Sequence, residues 1–257
     1  MRRVVSRSAV KGVFPLLGLP IVAFWNAVLA KGVMSSVRTV GLGRMFIVGV
    51  TDAILGVHQE LTRQVAAGVD LQMAVELSRT KSFAMSNPEA SFDPQIMPEA
   101  LKYIIFRSVA TAVISTRAFH PNLELMLKHI IYRLRIDPLK IPDVDNMKLF
   151  TDKLLPSLSR LDSYTVLTIM SFALVLDGSM AVTEKLLMKR AQAACGLQPH
   201  LAGLMNMSRK FVSLVLEPQD VVFCYYDMRE REGGLEDITL MEQIEDASSQ
   251  VLRILSF

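Results

Sequence analysis

Leu174-Val-Leu-Asp177-Gly178-Ser-Met180-Ala181-Val-Thr-Glu184 is the stretch on which the fold turns. An apolar run stops at Asp-Gly, a short turn holds one apolar anchor in Met180, and a second helical run is entered through Glu184. Upstream, Tyr164 to Leu176 is apolar on nearly every side, as a helix at the centre of a bundle must be, and is well short of the ~20 residues that span a bilayer. Downstream, Thr183 to Ala194 places Leu186, Leu187, Ala191 and Ala194 on one side and Lys185, Lys189 and Arg190 around the other, with Gly196 as its stop.

Working outward from this hairpin, helix succeeds helix, and no alternating strand pattern is long enough to argue for a sheet. The predicted class is all-α. Met45 to Ala67 carries Ile47, Ile54, Leu55, His58, Leu61 and Val65 near one face and ends at Gly68; Val69 to Arg79 continues or restarts it. Thr80 to Pro98, rich in proline and serine, is a loop, and a helix begins after Pro98 with Glu99 at its positive end. Ser108 to Lys128 echoes the later hairpin, with Phe119 as the anchor and Glu124 as the entering acid. Ile136 to Asp145 holds two prolines and three acids and reads as a linker, dividing an N-terminal helical region (1–140) from a C-terminal helical domain (141–257). After Gln198-Pro199 another helix carries Leu201, Leu204, Met205, Phe211, Val212 and Val215 on its apolar positions. Val221 to Tyr226 is open between a short strand and a buried helical segment, and a last helix from Leu235 places Ile238, Met241, Ile244, Val251, Leu252 and Leu255 at spacings of three and four, apart from a polar gap at Ser248.

Composition and charge bound what such a bundle does. Hydrophobic residues make up 51% of the 257 and mean hydropathy is +0.34, which points to a large buried core, a membrane contact, or both. The net charge of +3 conceals a polarity along the chain. No acid precedes Asp52, while Arg2, Arg3, Arg7, Lys11, Lys31, Arg38 and Arg44 are basic; from Glu217 onward acids dominate. The basic residues are interleaved with Val, Leu and Phe rather than gathered in a polar stripe, so an anionic membrane surface is expected and nucleic acid is not. Cys195 and Cys224 form neither a disulfide framework nor a zinc spacing, as in a reducing or redox-indifferent compartment.

The Asp177-Gly178, Met180 and Glu184 pattern resembles the helical hairpin of the TerB (tellurite-resistance B) fold, also found at the front of DjlA-type co-chaperones. The resemblance implies an all-helical, mostly non-catalytic domain. It also implies a divalent-cation reading in which Asp177 and Glu184 supply the ligands. An EF-hand is excluded, because Gly178 is second and Ala181 fifth where that loop needs a sixth-position glycine and a fifth-position oxygen ligand. Ala181 departs from the family pattern. A hydroxyl residue there would complete a capping box with Glu184, and its absence costs about 1 kcal/mol unless another oxygen substitutes.

The N-terminal segment supports three readings. Met1 to Gly12 ahead of the apolar Val13 to Leu29 has the layout of a signal peptide with a cleavage motif at Val28-Leu29-Ala30, and the Arg- and Ser-containing opening through Val13 that of an organellar transit peptide. In the third it is structural: Phe14-Pro15-Leu16-Leu17-Gly18-Leu-Pro20 leading to Asn26 and the later Arg44 resembles a segment of the EcsC family. Pro15 and Pro20 each remove a helix donor, Gly18 permits a bend between them, and a helix starts near Pro20. Asn26, Lys31, Ser35, Ser36 and Arg38 interrupt the apolar run between Pro20 and Arg44, which argues for an interfacial or buried hairpin rather than a membrane span.

Catalytic motifs are missing from the chain. It has no G-x-S-x-G elbow, P-loop, H-E-x-x-H or glycine-rich dinucleotide fingerprint. His120 and Glu124, four apart, and His129, five further along, could meet near one helix face, but the sequence indicates neither a further ligand nor the open position of a zinc site, and Cys195 reads as a small buried residue. The function expected is a non-catalytic adaptor or stress-related scaffold, peripheral on the cytoplasmic face of a membrane, whose C-terminal helical domain binds a protein partner. A divalent-cation-responsive module and an organelle-imported helical protein are the alternatives.

Overall fold

The computed structural model describes residues 44, 46–80, 92–116, 120–137, 147–178 and 180–226, and every regular element among them is helical. In chain order these are α1 (residues 46–66), α2 (Leu71–Thr80), α3 (Glu99–Ser115), α4 (Pro121–Leu134), the single turn α5 (Met147–Leu149), α6 (Arg160–Val175), α7 (Val182–Ala194), α8 (Ala202–Val212) and α9 (Pro218–Val222). The all-α expectation holds. The ambiguous Val221–Tyr226 stretch completes α9 and continues as turns. Among the described residues no helix is long and apolar enough to cross a membrane. The N-terminal segment with the EcsC-like pattern and the acidic segment after Tyr226 lie outside the described residues.

Helix α6 is the axis of the bundle. Ser159 caps it by accepting the Asp162 N–H at 3.1 Å, and every residue from Ser163 to Leu176 is buried. Helix α1 runs antiparallel to it: the Phe46 and Phe172 rings meet edge-on at 6.0 Å near one end, and His58 meets Thr165 at 2.9 Å near the other. Helix α3 lies along α6, α4 pairs with α3, and α7 folds back on α6. After α5 the chain loosens into a π turn at Phe150–Leu154 and then tightens into a 3-10 turn at Leu155–Ser157. The Leu155 N–H bonds the Phe150 carbonyl five residues back, and this lets both side chains face the core.

Residues 138–146, which hold most of the predicted linker, also lie outside the described residues, but the helices on either side of it share one hydrophobic core, from Ile47 to Tyr226. Four positions differ from the expected core faces. Val65, Leu186, Val212 and Val215 are exposed, at 41%, 51%, 55% and 61%. On α7 the buried face is Glu184, Leu187, Met188, Ala191 and Gln192, turned by about one position from the stripe read in sequence.

Four helices close in the same way. The N–H groups of Val69, Ile136, Leu197 and Val215 each reach five residues back, to Gln64, Ile131, Gln192 and Lys210, at 2.9–3.0 Å. Each closure needs a left-handed residue just before that donor. Glycine serves twice (Gly68 at φ +87°, Gly196 at φ +70°), whereas Arg135 (+54°) and Leu214 (+63°) hold the same conformation with a side chain. A Cβ at Gly196 would meet nothing within 4 Å, so a substitution there isolates backbone strain from packing. Gly196→Ala is expected to cost about 1 kcal/mol and Leu214→Gly to gain roughly 0.5 kcal/mol. The urea midpoints of both variants, at unchanged m, check this.

Candidate functional site

The two hairpin turns meet. At the end of α6, Gly178 takes φ +76° and its N–H returns to the Val175 carbonyl at 3.0 Å, leaving the Leu176 carbonyl beyond the last helical turn. The fully buried Asn122, in the first turn of α4, donates its Nδ2 hydrogen to that carbonyl at 3.0 Å. His120 caps α4, its Nδ1 accepting the Asn122 N–H at 3.2 Å. One hairpin's helix start is therefore bonded to the other hairpin's helix end.

Asp177 and Glu184, the two predicted ligands, share this corner. Glu184 is only 1% exposed, and its Oε2 accepts the Ala181 N–H at 2.7 Å, which is the carboxylate half of a capping box. Burial raises the Glu184 pKa, the bond from Ala181 lowers it, and the charge of Asp177 raises it again. The same Asp177 charge acts on His120, whose pKa is lowered by burial and partly restored by the aspartate. Asp177 thus couples electrostatically to both hairpins. For a cation the corner supplies two carboxylates, one of them engaged in capping, and among the described residues no three His, Cys, Asp or Glu side chains are grouped to hold a metal. The His120, Glu124 and His129 set is divided among separate partners: His120 caps α4, Glu124 pairs with Lys128, and His129 Nε2 faces Asp52 Oδ1 at 3.2 Å. Cys195 is half-buried; burial raises its thiol pKa, opposed by a bond with Ser163.

Three polar clusters that the sequence did not announce sit deeper in the bundle. The buried Asp52 of α1 is held by Arg133 Nε at 2.6 Å as well as by His129, and the Arg133 guanidinium lies over the Phe92 ring at 5.5 Å. The Ser171 hydroxyl meets the Tyr225 hydroxyl at 2.8 Å, Gln192 Nε2 donates to the same phenol at 3.1 Å, and Gln192 bonds both backbone groups of His200. Burial drives the Tyr225 phenol pKa far upward, so it stays neutral. In the third cluster His58 Nδ1 and the Thr165 hydroxyl share a hydrogen bond of 2.9 Å, and the same hydroxyl lies 3.2 Å from the Leu161 carbonyl. Nε2 of that ring then faces Asp162 at 3.5 Å. His58 had a sequence signal, as an ionisable side chain on an apolar face, and His129 had one in its spacing from His120 and Glu124.

No protein family, no curated protein and no solved structure matches the chain.

The buried histidine and the buried glutamate give pH effects of opposite sign. Desolvation lowers the His58 pKa below its ordinary 6.5 against the pull of Asp162, so the folded chain binds fewer protons there than the unfolded one, and stability is lost as pH falls through 6.5. His58→Asn removes the titrating ring while keeping a polar side chain near Thr165, and is expected to flatten that decline in melting temperature. Glu184 is raised above 4.5, so its contribution is present below that pH and lost as pH rises through the folded value. Glu184→Gln should gain on the parent as pH rises above 4.5. At the cap itself, Ala181→Ser supplies the missing hydroxyl and should add about 1 kcal/mol in the same unfolding experiment.

Proposed function

We propose that the chain is a non-catalytic helical adaptor that lies on an anionic membrane surface through its basic N-terminal segment and presents its helical body to a protein partner. The observation that carries the adaptor reading is where polar and apolar groups are spent. The buried ionisable groups Asp52, His58 and Glu184 are engaged in helix packing and capping, while Val182, Leu186, Val212 and Val215 are turned to solvent. A chain that uses these buried ionisable groups in its own packing and exposes aliphatic side chains is suited to docking. The TerB-like hairpin, with its mostly non-catalytic relatives, supports the same reading and a stress-related role.

The membrane half of the proposal rests on the acid-free stretch before Asp52 with its seven basic residues. Each such residue contributes about 1 kcal/mol near an anionic surface. A second reading, a cation-responsive module, is favoured by one observation, the electrostatic coupling of Asp177 to Glu184. It predicts a rise in melting temperature on adding calcium or magnesium that Asp177→Asn abolishes.

The test is flotation of the full chain with phosphatidylserine-containing vesicles. Arg2→Ala, Arg3→Ala and Arg7→Ala together should weaken partitioning by about 100-fold, from about 3 kcal/mol of lost attraction, and raised salt should release the parent chain. Equal binding to neutral vesicles, or no loss in the triple variant, would exclude the electrostatic contact.

A further inference from the structure

Helix α7 has an outer face of unusual composition. Val182 is 65% exposed and Leu186 51%, one turn apart, and the line continues through exposed Arg190 and Ala193, with half-buried Lys185 and Lys189 on its flank. Glu184 is the one acid of the helix, and it is buried at the cap on the other side. The face is therefore apolar at one end, basic along its length, and without an acid of its own.

The chain carries a complementary segment and delivers it to this helix. Residues 227–257 contain eight acids against three arginines. Leu235, Ile238, Met241 and Ile244 alternate with Glu236, Asp237, Glu242, Glu245 and Asp246, so apolar and acidic side chains are interspersed along the segment. The last described residues before this segment are anchored between α6 and the inner face of α7: Tyr225 is bonded by the buried Gln192 of α7 at 3.1 Å, and Tyr226 packs on Tyr164 of α6 with ring centroids 5.2 Å apart. Residues 227–234, which include Gly233-Gly234, span at most about 26 Å, while the 13 residues of α7 are roughly 20 Å long. The connection is long enough to lay the apolar positions from Leu235 onward anywhere along α7.

We propose that the acidic segment beginning at Leu235 docks in cis on the outer face of α7, its apolar positions on Val182 and Leu186 and its carboxylates against Lys185, Lys189 and Arg190. A partner that likewise combines acidic and apolar residues then reaches α7 by displacing the chain's own segment. The inference does not depend on the membrane reading.

Zero-length carbodiimide crosslinking of the full chain, with the monomer band analysed by mass spectrometry, tests it. Links from Lys185 or Lys189 to Glu236, Asp237, Glu242, Glu245 or Asp246 are expected, weakened by salt. They should vanish in Val182→Asp with Leu186→Asp, which alters exposed positions and leaves both lysines in place. Acetylation offers a second readout. Converting those five carboxylates to amides should raise the modification rate of Lys185 and Lys189 severalfold. Links that bypass α7, links confined to a dimer band, or acetylation unchanged by neutralising the segment would overturn the proposal. So would phosphatidylserine vesicles that shield Lys185 and Lys189 equally in the parent and neutralised chains, which would assign the face to a membrane.

Discussion

Burying α6 on every side is the constraint on which the rest of the architecture depends. A helix that excludes water from Ser163 to Leu176 must be covered by several neighbours at once, and each large aliphatic or aromatic side chain it buries is worth about 1.5–3 kcal/mol. Coverage alone does not say which neighbour lies where. That information comes from the polar groups of α6. Thr165 can be satisfied by His58 of α1, Ser171 by Tyr225, and the carbonyl of Leu176 by Asn122 of α4. Because a buried polar group left without a partner costs about 1–3 kcal/mol, these bonds select one arrangement among the many that would bury the same apolar area.

This division explains what is legible in the sequence. Helix α6 is readable because from Tyr164 to Val175 it holds no charged residue to disguise its burial, and α1 because its apolar residues recur at helical spacing up to Leu61. The face of α7 is misread for a physical reason. Its buried stripe contains Glu184 and Gln192, which a hydrophobicity pattern assigns to solvent, and the adjacent Leu186 and Leu187 let the stripe be drawn one position away. Glu184 is tolerated inside because the Ala181 amide meets it, and Gln192 because it bonds Tyr225 and both backbone groups of His200. Partners distant in sequence make polar residues into core residues, and no local pattern announces them.

The candidate site is legible in the same partial way. Asp177 and Glu184 belong to one short turn, so their proximity comes from chain connectivity, and the structure couples them. The contribution of α4 does not come from connectivity. His120 and Asn122 lie more than fifty residues upstream and arrive only because α3 and α4 pack as a hairpin beside α6 and α7. The echo between the two hairpins acquires a structural meaning: the Asn122 side chain joins the start of one to the end of the other.

An internal bond at one place frees a surface at another. Once Glu184 and Gln192 turn inward, Val182, Leu186 and Arg190 must turn outward, since residues three and four apart share a face of the helix and those between do not. Exposed aliphatics are unfavourable in water, and the bonds made by Glu184 and Gln192 hold them there. The same geometry keeps Lys185 and Lys189 at the edge of that surface, which sets the sign of charge a partner must carry. The outer face of α7 is thus a consequence of the polar bonds on its inner face, and the two belong to one physical argument.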